Sequence, residues 1–516
     1  MLMIALKLRM PFTQSFIIAS FLAGLFFISQ GHLIFYIFDE SFLWYGVQRV
    51  LLGEVPIRDF ASYDPGRYYW SASVMSLIGQ RGIMGLRIAE TLFQAIGLSF
   101  GLWLIARTQK KQNFMYLLLS GIILIIWMYP RYKFFDLSIS IFLMSILTAL
   151  IEHPNKKFFF LTGLCIGLFA VFGRNHGVYG LISSLGVFIW LNVKKTESFT
   201  RRTTFAFWAL GIMIGFLPIL LMMLFIPGFC SAFIDSVRFL FETKTTNLTL
   251  PIPWPWHIHF VMQSHYQILY NLFVGLFFVA ILLFGILAPI IVFWKKWQCR
   301  PLPAAFVAAA FAALPYAHYA YSRADVEHLT HGIFPFLIGC LIFITTQNAK
   351  VKWILALLLF ETSLVVMLPW QPAWRCRLDQ SCINVQISDS TLKVDPYTAR
   401  DIALLRQLSA QYTPQGQSFV ATPIWPGAYA LLERKSPLYD IYAFYPRSIP
   451  FQQREISRLE MAKPAFVLLL DVAVDGREDL RFKNLDPLIY QYIITHFEPL
   501  NDSPSPEIKI YIPKQN

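Results

Sequence analysis

Apolar runs of bilayer-crossing length recur from near the start of the chain to residue 369, and no other feature limits its fold as strongly. A membrane-spanning helix needs roughly 17–25 mostly apolar residues. Eleven runs reach or approach that length: 12–36, 84–106, 113–130, 134–151, 158–173, 177–193, 204–226, 268–294, 303–320, 332–347 and 351–369. Of the 516 residues, 56% are apolar and 14% charged, against about 25% charged in a soluble protein. So few charges could not cover a soluble surface. Disordered, coiled-coil and disulfide-dense secreted classes are excluded as well. What remains is a mainly α, polytopic transmembrane helix bundle.

The net charge of +13 would suit nucleic acid in a soluble chain. Here the cations sit in alternate gaps between apolar runs. Arg107, Lys110 and Lys111 fill one gap, Lys156 and Lys157 the next, then Lys194, Lys195, Arg201 and Arg202. Lys295, Lys296 and Arg300 follow, and finally Lys350 and Lys352. The excess of Lys and Arg assigns these gaps to the cytoplasm, so no nucleic-acid partner is expected. The N-terminus is then inside, with Lys7 and Arg9 before a first run that lacks a small-residue cleavage site and reads as an anchor. With eleven spans the C-terminal part lies outside, beside the loop 37–83.

Two domains are expected: a transmembrane one at 1–370 and an external α/β one at 371–516. In the latter, 399–410 has helical periodicity, 465–472 reads as a buried strand, 487–497 as a helix and 507–512 as an alternating strand. Cys376 and Cys382 stand just past the last apolar run. They are either two free thiols or a short disulfide loop, and an external compartment favours the bridge. No P-loop, dinucleotide fingerprint or solenoid repeat is present.

The loop after the first run is the most informative stretch: FDESFLWYGVQRVLLGEVPIRDFASYDPGRYYW, residues 38–70. Asp39 and Glu40 stand where the first run ends. An amphipathic helix follows, with Leu43, Val47, Val50 and Leu51 on one face. Asp39 or Ser41 can cap it, Gly53 and Pro56 end it, and such a helix would lie in the membrane interface. Arg58, Tyr63, Asp64 and Arg67 come next. Acids, arginines and aromatics at a lipid surface suit a substrate with a phosphate, a sugar and a greasy tail. A solvated helix cap is the plainer reading of the Asp-Glu pair alone.

An Asp-Glu pair, a helix, then G-x-x-P-x-R-D-F and D-P-x-x-Y-Y over about 36–75 resembles the C-type membrane glycosyltransferases (GT-C superfamily). The likeness is nearest to their bacterial protein-mannosyltransferase-like and lipid A aminoarabinose-transferase-like branch. The resemblance implies a polyprenyl-phosphate sugar donor and chemistry at the outer membrane face. It implies that Asp39 and, with less weight, Glu40 are catalytic or metal-assisting, with Asp136 of YPRYKFFDLS as a second acid. It does not reach acceptor-binding residues.

Other polar groups fall between apolar runs, where charge is expensive and usually has a partner or a role. Arg131, Lys133, Arg174 and Arg323, with Arg58 and Arg67, are candidate donor-phosphate ligands. Headgroup snorkelling explains the membrane-edge cations equally well. Tyr63, Asp64, His176 and His328 are candidate substrate contacts. His328 and His331 share a helix face, and Glu327 beside them suggests a divalent metal, with Asp39 as another candidate ligand, although the spacing matches no metal signature. Trp254, Trp256, His257, His259 and His265 read as an interfacial belt or, alternatively, a sugar-stacking platform. Arg87 with Glu90, and Glu361 in the last run, read as internal pairs fixing helix packing.

The function expected is transfer of a sugar from a polyprenyl phosphate to an acceptor hydroxyl of a lipid, glycan or protein, in a bacterial inner membrane. The leaving phosphate needs neutralising more than protonating. The acceptor hydroxyl needs a base. One displacement would invert the anomeric centre. A multi-span transporter or flippase of a lipid-linked or anionic substrate is the alternative, and it predicts inverted repeats and helices broken near the midplane, neither of which the sequence displays. A structural membrane protein would leave the outer charges unexplained.

Overall fold

The computed structural model describes residues 2–109, 111–193, 201–244, 247–258, 264–378, 382–500 and 506–514. Lys110, Lys194, Lys195 and His259 lie outside the described residues. The chain divides into two compact units. The first comprises Met1–Gly31, Arg87–Phe225 and Asn247–Arg375, the second His32–Leu86, Ile226–Thr246 and Cys376–Asn516.

The first unit is helical. All eleven apolar runs form helices or helix pairs. The expected eleven spans do not follow, however. Among the described residues, five helical stretches are long and apolar enough to cross a membrane alone: Pro11–Gln30, Ile83–Ala106, Arg131–Glu152, His265–Trp297 and Ala349–Trp370. The number rises to seven if each of two bent pairs is one span. Several remaining helices are short or carry polar faces; Phe114–Trp127, for instance, has 14 residues. The bent pairs are Arg202–Gly215 with Leu217–Phe225, at 51°, and Val326–Gly332 with Phe334–Thr345, at 59°. Broken helices are therefore present where the sequence shows none.

Small residues set the packing. Gly163 and Gly167 of the Lys156–Phe172 helix face Gly211 and Gly215 of the Arg201–Gly215 helix. A Cβ on Gly163 would stand 2.0 Å from the Trp208 carbonyl oxygen, and one on Gly215 would stand 2.1 Å from that of Leu164. Two GxxxG motifs thus bring backbone against backbone, where close contact replaces the missing hydrophobic drive inside lipid. The Ala304–Ser322 helix buries eight alanines and packs on Phe134–Glu152, Arg174–Asn192 and His265–Trp297. Glu361 corrects an expectation: it is exposed on its helix and makes no ion pair among the described residues.

The second unit is α/β. A hairpin, β1 (Ile383–Ile387) and β2 (Ser390–Val394), pairs antiparallel, and Leu33 bridges to Lys393 beside it. Strands β3 (Val420–Thr422), β4 (Val467–Leu470), β5 (Phe497–Pro499) and β6 (Ile508–Pro513) form a sheet of order β3-β4-β6-β5. Only the β3–β4 pair is parallel. Val420, Val467, Leu469 and Tyr511 of the sheet bury against Leu459, Ile489 and Ile493 of the helices Ile449–Ala462 and Pro487–His496. Cys376 and Cys382 are joined by a disulfide with Cα atoms 5.3 Å apart.

The helix Asp39–Leu51 is a core element of this unit rather than one with a single covered face. Residues Glu40 to Val47 are all buried, on every face of the helix. It packs on the helices Pro65–Ile78 and Pro426–Leu432. Gly46 permits the first approach, since a Cβ there would lie 2.2 Å from the Tyr68 ring. Phe38, not Asp39 or Ser41, precedes the helix as its cap residue, without a side-chain capping bond.

Candidate functional site

In the second unit, the helix start directs its two acids differently. Glu40 is fully buried and accepts from the Tyr36 amide at 3.4 Å. Asp39, half-buried in the first turn, accepts a hydrogen bond from the Tyr442 hydroxyl. The Tyr442 ring stacks on Phe42, and Phe42 meets Tyr63 edge-on at 5.0 Å. Arg67 is buried with its guanidinium 4.7 Å from the centre of the Tyr63 ring. Asp64 precedes the Pro65–Ile78 helix and is buried. Asp39, Tyr63 and Arg67 therefore share one aromatic neighbourhood through Phe42 and Tyr442. The sequence did not single out Tyr442, which lies 403 positions from Asp39.

Arg58 forms a two-pronged pair with Asp59, both bonds 2.8 Å, and reaches the Pro227 carbonyl at 3.3 Å. Burial opposes the Asp59 carboxylate, but the bonds from Arg58 and the Val55 amide outweigh it and hold its pKa below the usual range.

The first unit holds a buried polar network. Asp136, in the first turn of Phe134–Glu152, is 1% exposed and His176 is 0% exposed. Their Oδ1 and Nε2 atoms are 2.9 Å apart. His176 Nδ1 lies 3.0 Å from the Tyr316 hydroxyl, and Tyr179 meets His318 at 3.1 Å. The Tyr319 hydroxyl approaches Asp136 at 3.5 Å and its ring lies 5.0 Å from His331. A carboxylate–imidazole–phenol chain of this kind orients a proton carrier where water is scarce. The sequence singled out Asp136 and His176 separately; Tyr316 and Tyr319 went unnoticed because tyrosine on an alanine-rich helix reads as packing.

Near it, Asp325 caps the Val326–Gly332 helix and accepts from His328 Nδ1 at 2.8 Å, while His328 Nε2 meets Asn247 at 2.7 Å. Arg323 pairs with Asp325 at 2.8 Å and donates to the Leu248 carbonyl. Burial pushes the Asp325 carboxyl up, but His328 and Arg323 bring it below its ordinary pKa. Glu327 accepts from the Tyr132 hydroxyl at 2.6 Å. Arg131 donates to the Gly31 and Gln30 carbonyls, closing the end of the Leu2–Gln30 helix. Lys133 lies 5.9 Å from the Tyr132 ring, and Arg174 opens the Arg174–Asn192 helix. Trp254 and Trp256 stack on each other at 5.1 Å.

Among the described residues, no three His, Cys, Asp or Glu side chains form a set that could hold a metal ion. Glu327 and His328 are instead engaged by Tyr132, Asp325 and Asn247. The described residues therefore assemble no metal-binding set around Glu327, His328 or Asp39.

No protein-family model and no curated protein sequence matches the chain. Solved structures do. ArnT from Cupriavidus metallidurans, bound to undecaprenyl phosphate, aligns over 96% of this chain and 97% of its own at 12% identity and a TM-score of 0.50. The apo oligosaccharyltransferase of Archaeoglobus fulgidus aligns over 95% of this chain and 73% of its own at 10% identity and a TM-score of 0.47. Helices of membrane-crossing length and this full-length alignment agree: the chain is a multi-pass membrane protein with a fold like that of ArnT.

Proposed function

We propose that the protein transfers a sugar from a polyprenyl-phosphate donor to an acceptor hydroxyl at the outer face of a bacterial inner membrane. The observation that carries this reading is the full-length likeness in fold to a transferase solved with undecaprenyl phosphate, which is a fold-level analogy. The site residues supply matching chemistry. Asp39 is the candidate general base, held in place by the Tyr442 hydroxyl. Arg67 and Tyr63 line the same neighbourhood, with Arg67 as a candidate partner for phosphate. In the first unit, Asp136 and His176 are positioning or proton-holding groups, and Lys133, Arg174 and Arg323 remain candidate phosphate ligands. Arg131, which also donates to two carbonyls, is a further candidate.

The N-terminus is assigned to the cytoplasm and the C-terminal α/β part to the outside, on the Lys and Arg bias of the gaps. A transporter is the second reading, favoured by the two bent helix pairs. Asp39→Asn tests the first. It removes the charge and keeps the size, so expression should hold while transfer falls by on the order of a hundredfold or more. Unimpaired transfer by this variant would remove Asp39 from the chemistry.

A further inference from the structure

The second unit contains a cavity of about 630 Å³ that none of the proposed transfer chemistry uses, apart from sharing Arg58. Four separate segments build it: Arg58 and Asp59; the turn Gly416–Ser418; Arg434 to Leu438; and Arg458, Met461 and Ala462 at the end of the Ile449–Ala462 helix. Four cations and one carboxylate line it.

Most of that charge has a local partner. Arg58 holds Asp59, Lys435 holds Glu54 at 2.7 Å, and Arg458 lies 3.4 Å from Glu455. Glu54 is already bound by Arg49 at 2.5 Å, so one carboxylate serves two cations there. Glu455 is buried, and that burial holds its carboxyl above the ordinary pKa even with Arg458 beside it. Arg434 makes no ion pair among the described residues, and its buried Nε has no hydrogen-bond partner. A buried guanidinium donor left unmatched costs about 1–3 kcal/mol or more, so the position is one that a ligand would improve.

The turn that receives Arg434 is shaped for it. Gly416 has φ of 84°, and a Cβ there would stand 3.2 Å from Arg434 Nη1. Any other residue would be strained in that conformation and crowd the guanidinium. Gln417 and Ser418 add an amide and a hydroxyl to the same wall. Guanidinium forks match the oxygens of a phosphate, and excess positive charge in a polar recess selects for anions.

We propose that this cavity is a binding site for a phosphate monoester, with Arg434 as its central ligand and Arg458 and Lys435 as flanking cations. The monoester could sit on a sugar, on a lipid headgroup, or be free inorganic phosphate; the chemistry of recognition is shared. The site is independent of the transfer reading, since binding here is measured without turnover.

The test is calorimetry on the full-length protein in mild detergent at low ionic strength, with glucose 6-phosphate, glucose and inorganic phosphate as probes. Nanodiscs containing phosphatidic acid or only phosphatidylcholine form the lipid arm. Glucose 6-phosphate or phosphate should bind saturably and glucose should not. Arg434→Gln should weaken binding about ten- to a hundredfold, as expected for losing a charged hydrogen-bond donor, and Arg434→Lys should fall between. Competition from phosphatidic acid nanodiscs alone identifies a headgroup; tighter binding of the sugar ester than of phosphate identifies a saccharide. If Arg434→Gln fails to fold, the Lys435→Gln, Arg458→Gln pair reads the same loss. Absence of saturable binding by every phosphate probe, or binding unchanged in these variants, overturns the site.

Discussion

The contact between Asp136 and His176 gives the sharpest energetic prediction. Both side chains are buried, on the helices Phe134–Glu152 and Arg174–Asn192, with Oδ1 and Nε2 2.9 Å apart. Two magnitudes compete. A neutral hydrogen bond between membrane helices is worth about 0.6 kcal/mol on average and about 1.7 at most. Breaking a buried ion pair by removing one partner costs about 3–5 kcal/mol. The Tyr319 hydroxyl also donates to Asp136, at 3.5 Å. Tyr316 stays with His176 through Nδ1 and softens the loss from that side. We expect Asp136→Ala to cost about 2–3 kcal/mol, since it leaves a buried imidazole nitrogen unmatched. The double variant Asp136→Ala, His176→Ala should be little worse than the larger single, leaving a coupling of about 2 kcal/mol or more. Reversible unfolding of the four proteins in mixed micelles measures this. Asp136→Asn keeps a polar partner without charge and should lose at least half of the coupling. Effects of the two alanines that add to within about 0.5 kcal/mol would refute the pair as a unit.

Two further outcomes follow from other parts of the chain. Asp486 of the α/β unit has a buried Oδ1 without a hydrogen-bond partner, and burial, with Asp440 nearby, pushes its pKa up to about 7. A raised carboxyl stabilises the fold below its unfolded value, and that stability is lost as pH rises through about 7. At about 1.4 kcal/mol per pKa unit, the swing is roughly 4 kcal/mol at most. Asp486→Asn should raise the thermal midpoint at pH 8 and flatten its pH dependence between 5 and 8; an unchanged profile would contradict this. For topology, a cysteine introduced at the exposed position 415 should react with an impermeant reagent outside the cell and one at 298 should not, and the reverse pattern would invert the assignment.

Much of the helical framework was legible because a bilayer imposes a single dominant signal, the length of an apolar run. Each such run forms a helix or helix pair near its expected limits. What hydropathy does not carry is how a helix is used. The Asp39–Leu51 helix has an amphipathic pattern, yet it is buried on all faces, because partners from positions beyond 425 cover the side that looks exposed in the sequence. The two GxxxG motifs on Lys156–Phe172 and Arg201–Gly215 were open to sequence reading and explain the closest helix pair. In the site, acids and histidines between apolar runs stand out by their cost. Asp136 and His176 were found that way, whereas Tyr442 and Tyr316 were not: a tyrosine is an ordinary core residue until its hydroxyl is seen on a carboxylate or an imidazole. That Arg131 also donates to the carbonyls ending the first helix is likewise not carried by hydropathy.

The measurement that bears most directly on the proposed activity follows a polyprenyl-phosphate sugar, labelled in the sugar and separately in the phosphate, in proteoliposomes holding the purified wild-type protein. Transfer predicts that the sugar label leaves the polyprenyl phosphate and appears in a covalent product while the phosphate label stays on the lipid. It also predicts that Asp39→Asn stops this without preventing donor binding. Movement of the intact, doubly labelled lipid between leaflets with no cleavage, unaffected by Asp39→Asn, would contradict transfer and establish the transporter reading instead.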